Sequence, residues 1–171
     1  MVTDVRDKIR AALVRLIKED FYLLEVDINE RSLTHRLAIY LEALFPNYHV
    51  DCEYNREGVD KKALHILKTN IKRNNEPNHI EPDDIDSSTV FPDITIHRRG
   101  TNDNFVVIEA KKSTTQNDRG DKEKLRLYKE ELGYRHAFFV RIPVGDNFSQ
   151  LNDDKISEYI EEIELEYSLV C

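Results

Sequence analysis

Two segments, FPDITIHRR and NFVVIEAKK, constrain this chain more than any others, and between them lies only the polar run Gly100-Thr101-Asn102-Asp103. Each alternates along its length and the separator is a turn, so the pair predicts an antiparallel hairpin. Side chains alternate across a strand. Asp93, Thr95 and His97 therefore share one face of the first strand, opposite Ile94 and Ile96. In the second, Phe105, Val107, Glu109 and Lys111 share a face, opposite Val106, Ile108 and Ala110. A turn centred on Thr101 pairs position 97 with 105, 95 with 107, and 93 with 109. Asp93 then stands across from Glu109, with Cβ atoms about 4.5–5.5 Å apart, where like charges destabilise.

The remaining chain reads as alternating helices and strands. Val5, Ile9, Ala12, Leu13, Leu16 and Ile17 predict a helix over 4–20, with Thr3 as its N-cap. FYLLEVDI is a connector with some strand character. Leu33, Leu37, Tyr40, Leu41 and Leu44 make the stripe of a helix over 29–45, stopped by Pro46. YHVDCEYNR predicts a strand. Residues 57–90 are polar, contain Pro77 and Pro82, and read as a long variable insertion with a short element over KALHILK. A helix over 119–132 carries Leu125, Tyr128 and Leu132 on one face and ends at Gly133. RHAFFVRIP is a buried strand. Ile156, Tyr159, Ile160, Ile163 and Tyr167 fit a final helix, with a strand as the alternative. The expectation is one α/β domain over 1–171: a central mixed sheet flanked by helices, with its core at about 29–142 and an acidic element over 150–171.

Two facing carboxylates need a cation or a shared proton. Lys111 lies on the same face two residues beyond Glu109, about 6–7 Å along the strand. Carboxylate oxygens plus water suit Mg²⁺, and the ammonium can hold or polarise a water. That is the minimum equipment for metal-assisted hydrolysis of a phosphodiester. Glu30 belongs with them: Leu33, Leu37, Leu41 and Leu44 lie within about 60° of it at 100° per residue, so its carboxylate points along a packed face and needs a partner. Asp27-Ile-Asn-Glu30 also has capping-box spacing, so Glu30 can instead cap its helix.

Phe91-Pro92-Asp93 followed, after fifteen intervening residues, by Glu109-Ala110-Lys111 resembles the signature of the PD-(D/E)XK, or restriction-endonuclease-like, nuclease superfamily. The preceding helix with Glu30, and the helix and AFFV strand after the motif, match that family's core order. The resemblance implies a restriction-endonuclease-like core and a Mg²⁺-dependent nuclease, with Mn²⁺ able to substitute. Asp93, Glu109 and the backbone carbonyl of Ala110 would bind the ion. Lys111 would orient or activate the attacking water, and Glu30 would bind a second metal or a metal water. DNA is the expected partner, and an RNase or an inactive binding module of the same fold are the alternatives. A homodimer suits cutting both strands, and a protein partner suits an accessory subunit.

Charge and composition bound these readings. The net charge is -8, yet residues 150–171 carry -6 of it, leaving -2 on the other 149. Lys61, Lys62, Lys68, Lys72 and Arg73 outnumber Glu57 and Asp60 over 57–75, so a local phosphate-binding face is allowed although the whole chain is acidic. Arg98, Arg99 and Lys112 can touch phosphate or serve as ordinary strand-end charges. His97 reads as an exposed turn histidine, Cys52 as inert core, and Asp121 as a helix cap, with pairing to Lys111 or Lys112 as its alternative. Glu81, Asp83, Asp84 and Asp86 lack the glycine and terminal Glu of an EF-hand and read as a solvated loop. Five glycines form no phosphate loop, and no Ser-His-Asp arrangement is present, so ATP use and acyl transfer find no support. The charged N-terminus is unlike a secretory signal, no apolar run is long enough to span a membrane, and two cysteines form no disulfide framework. A cytoplasmic protein without a membrane partner is the expectation.

Overall fold

The computed structural model describes residues 4–54, 91–145 and 153–165, together with the backbone of four short strands between 56 and 89. Helices α1 (Val5–Glu19), α2 (Phe21–Glu25) and α3 (Glu30–Leu44) come first, followed by strand β1 (His49–Cys52). Two short antiparallel pairs come next: β2 (Arg56–Glu57) with β3 (Asp60–Lys61), and β4 (Ala63–Leu67) with β5 (Ile85–Thr89). β4 falls on KALHILK; Glu81, Asp83 and Asp84 lie outside the described residues, as do Lys62, Lys68, Lys72, Arg73 and the Thr3 cap. Then come β6 (Ile94–His97), β7 (Asn104–Lys112), α4 (Arg119–Leu132) and β8 (His136–Ile142). The described chain ends with α5 (Asp153–Ile156), a 3-10 turn (Ser157–Tyr159) and β9 (Ile160–Glu162).

The central sheet has the order β1-β6-β7-β8-β9. Its β7–β8 pair is parallel, bridged by α4, and its other pairs are antiparallel, so the protein is an α/β fold built on a mixed sheet. Ile94, Ile96, Val106, Ile108, Ala110, Phe138, Val140 and Ile142 face α1 and α3 in one apolar cluster. Val107, Ala137 and Phe139 face Leu125, Tyr128 and Leu132 of α4 in a second. The predicted alternation along β7 is what divides the two.

Four local departures have physical causes. FYLLEVDI contributes a helical turn rather than strand character: Leu24 is buried, and the turn satisfies its own N–H groups where no neighbouring strand is present among the described residues. The hairpin register holds at Thr95↔Val107 but slips at a bulge, where His97 pairs with Asn104 instead of Phe105. The buried Asn104 Nδ2 donates to the Leu132 carbonyl at the end of α4, 2.8 Å away. Phe105 accordingly leaves the Val107 face and stacks on Tyr48 at 4.5 Å between centroids. His97 is buried, not exposed: its Nε2 lies 2.9 Å from Asp51 Oδ2, and its ring packs on Tyr54. The acidic tail is a short helix and then an edge strand on β8, because Ile156 and Ile160 join the α1/α3 cluster while Ile163 joins the α4 cluster. One long helix would have kept Ile160 and Ile163 on the same side. Among the described residues no helix is long and apolar enough to cross a membrane.

Gly133 ends α4 at φ 64, the left-handed region that an L side chain resists. Gly133→Ala meets no steric obstacle, so only backbone strain acts. The expected result is a loss of about 1 kcal/mol, seen as a lower urea midpoint with an unchanged slope.

Candidate functional site

The site lies where β7 outruns β6. Their pairing ends at Ile94↔Ile108, yet β7 continues to Lys112, held on its other side by β8 as far as Lys112↔Ile142. On the β6 side the overhang needs other partners for its backbone. Two carboxylates supply them. Asp93 Oδ2 accepts the Ala110 N–H at 2.8 Å, and Glu30 Oε2 accepts the Lys112 N–H at 3.1 Å. Continuing the register places Pro92 opposite Ala110. Proline has no N–H, so it offers no ladder bond to the Ala110 carbonyl, which points to the same edge as the Ala110 N–H.

Alternation places Glu109 and Lys111 toward α4. Glu109 is 3% exposed; among the described residues neither its Oε1 nor the buried Tyr128 hydroxyl makes a hydrogen bond of full geometry, although the two groups interact with each other. Burial, reinforced by the Asp93 charge, pushes the Glu109 carboxyl well above its usual range; Lys124 and Lys111 oppose this. Burial also raises Asp93, against the Ala110 N–H and the charge of Lys111. Burial raises the Tyr128 phenol too, assisted by the Glu109 charge. Burial would lower the Lys111 ammonium, but its bond to Glu30 and the charges of Asp121 and Asp93 hold it above the ordinary lysine value. Its Nζ lies 3.1 Å from Glu30 Oε1 and 3.7 Å from Asp121 Oδ2.

Asp93, Glu109, Lys111 and Glu30 thus gather at one end of β7, with the Ala110 backbone on the same edge. Lys112 faces away from them. Its Nζ lies 2.9 Å from Asp27 Oδ1 and 3.4 Å from the Ile28 carbonyl, tying β7 to the turn before α3. Arg98 and Arg99 sit beyond the other end of the strand, about 20 Å away at 3.3 Å per residue. Arg98 pairs with Asp103, and Arg99 with Asp51. Glu30 is not the cap of α3: Asn29 is, accepting the Ser32 N–H at 2.9 Å.

On α4, Asp121 follows the second of its two sequence readings: it is no cap but turns inward and pairs with Lys111, with Lys124 on its other side. Lys124 and Tyr128 were not singled out for the site, although both share a helix face with Asp121 and Leu125. A lysine and an acid on an otherwise apolar stripe were the available signal. Cys52 is exposed rather than core and lines a cleft of about 480 Å³ beside Asp93, together with Glu30, Arg31, Thr34, His35 and Glu53. Partial desolvation and the charges of Asp51, Asp93 and Glu53 push its thiol up to about 11.

Among the described residues, no three His, Cys, Asp or Glu side chains form a ready-made metal cage. The site instead offers an acid just before β6 and another on β7, a carbonyl edge without a ladder donor, and, among the described residues, a buried carboxylate oxygen without a hydrogen bond of full geometry. Mg²⁺ is commonly held by one or two carboxylates, with water and phosphate completing its shell. The donor set fits that manner of binding.

A carboxyl raised on folding means that the unfolded chain binds fewer protons between the ordinary value of 4.5 and the raised one, so stability falls as pH rises through that window. Glu109→Gln removes this penalty. In EDTA, the variant should have the higher urea midpoint at pH 8, with the difference from the parent vanishing near pH 4. No family model, curated protein or solved structure matches the chain.

Proposed function

We propose that this chain is a Mg²⁺-dependent nuclease with a restriction-endonuclease-like core, hydrolysing DNA phosphodiester bonds. The observation that carries the reading is the overhanging end of β7, where Asp93, the buried Glu109 and Lys111 meet beneath Glu30. The element order supports it: a helix bearing Glu30, the hairpin bearing both acids, then α4 crossing to a parallel β8. Asp93, Glu109 and the Ala110 carbonyl would hold the ion, and Mn²⁺ could replace it. When bound, the ion supplies positive charge that neutralises the phosphate and lowers the pKa of a coordinated water.

The chain's own groups do the rest. Lys111 is charged and has three donors; Glu30 accepts one and Asp121 lies at ion-pair distance, so donors remain for the attacking water or a phosphate oxygen. Its charge offsets the negative charge that builds as water attacks phosphorus. Glu30 fixes Lys111 and the Lys112 backbone together, setting the distance between the ammonium and the acids. Glu109 sits in the poorly solvated part of the site, where interactions between charges are stronger than in water. The cleft beside Asp93 leaves room for one side of a nucleotide chain.

A second reading, an inactive module of the same fold that docks a protein partner, draws on the net charge of -8. The two separate on one experiment. Purified protein is incubated with plasmid, single-stranded and duplex oligonucleotides and RNA, with Mg²⁺, Mn²⁺ or EDTA, and Mn²⁺ binding is measured by calorimetry. The nuclease reading expects metal-dependent cleavage that Asp93→Asn, Glu109→Gln and Lys111→Ala each reduce at least about a hundredfold. Cleavage of RNA alone transfers the chemistry to an RNase. No cleavage and no heat of Mn²⁺ binding would leave the docking module.

A further inference from the structure

Asp121 is the third residue of α4 and is 9% exposed, which is unusual for a carboxylate. An acid in the first turn suits the helix dipole, but an exposed carboxylate serves that purpose as well, so the dipole does not account for its burial. The N-cap position belongs to Asp118, whose carboxylate is engaged with Arg141 at 2.6 Å and Lys122 at 3.2 Å. The Asp118–Arg141 contact fastens the start of α4 to β8. Lys122 reaches Glu161 of β9 at 2.7 Å, and Leu125, Tyr128 and Leu132 bury the helix face. The helix is therefore seated without Asp121.

What Asp121 does touch is two ammonium groups. Oδ1 lies 3.1 Å from Lys124 Nζ, and Oδ2 lies 3.7 Å from Lys111 Nζ. Lys111 in turn reaches Glu30 at 3.1 Å. A chain of alternating charge, Lys124–Asp121–Lys111–Glu30, thus crosses the end of β7 from α4 to α3. A lysine has a flexible four-carbon stem, and one carboxylate can fix its distance but not its direction. Two carboxylates on opposite sides fix both. With Glu30 alone, the ammonium would settle toward α3, away from Glu109.

We propose that Asp121 is a positioning residue that holds the Lys111 ammonium over the end of β7, with Lys124 fixing Asp121 in turn. The proposal rests on the nuclease reading for its effect on turnover, but the seating of Lys111 is measurable without it. Asp121 bears on the reaction only through Lys111, so its loss should lower kcat more than it alters KM.

The test compares the full chain with Asp121→Asn and Asp121→Glu in three measurements. The first is cleavage kinetics: Asp121→Asn should lower kcat about tenfold to a hundredfold with KM changed less than about twofold, and Asp121→Glu should recover part of the loss. The second is the thermal shift on adding Mn²⁺, which Asp121→Asn should retain and Asp93→Asn should lose. The third is the rate at which an amine-acylating reagent labels Lys111, read by peptide mass. Asp121→Asn should raise that rate several-fold, Asp121→Glu should raise it less, and the exposed Lys18 should label as before. Unchanged Lys111 labelling overturns the proposal, as does a Mn²⁺ shift lost together with activity, which would make Asp121 a ligand. If Asp121→Asn does not fold, Asp121→Glu decides through the same labelling measurement, since a carboxylate on a longer arm should still restrain Lys111. A wild-type chain that cleaves nothing defeats the nuclease reading alone, because labelling still reports whether Asp121 seats Lys111.

Discussion

The contact on which the site depends is the pair of carboxylates that close the open edge of β7. A nine-residue strand beside a four-residue one leaves backbone donors facing nothing. Leaving a buried N–H unpaired costs about 1–3 kcal/mol. Asp93 and Glu30 accept the Ala110 and Lys112 N–H groups in the place of a strand. One bond comes from the residue just before β6 and the other from the first turn of α3. The ends of three elements are thereby held to one another by acids, and negative charge collects at the point where the sheet stops.

That arrangement makes the neighbourhood of Glu109 costly in the absence of a compensating charge. Its carboxylate is buried, is poorly matched by donors among the described residues, and shares its surroundings with Asp93 and Asp121. Lys111 and Lys124 offset part of this. A core optimised for stability alone would place a leucine there. A buried acid kept beside other acids is the kind of strain found at sites that bind cations or move protons.

Much of this was legible in the sequence, where local periodicity decides the outcome. The alternation in NFVVIEAKK placed Glu109 and Lys111 on one face, and the turn placed Thr95 across from Val107. Gly133 marked the end of α4 because the left-handed cap is a local requirement. Features set by distant partners were not legible. The bulge at His97 accompanies the bond that Asn104 makes to Leu132, and the burial of His97 depends on Asp51, 46 residues away. For Asp121 the sequence allowed a cap or a pairing with Lys111, and only the position of β7 against α4 decides for the pairing, with Lys124 one helical turn along as its second partner. The isoleucines of the tail fit helical spacing equally well whether they cover one side of a sheet or both. Which side each one covers is decided by the sheet already in place.

The outer strands of the main sheet are unequal to its centre. β1 is four residues long and β9 three, while β7 between them has nine. A short rim exposes few backbone groups to a foreign chain, and Glu161 and Glu162 put charge on one of these rims. Edges of that kind discourage strands of other molecules from adding to the sheet. On this sheet, then, the rims offer a foreign strand little to extend, and β7 is kept from any such edge by a neighbour on each side.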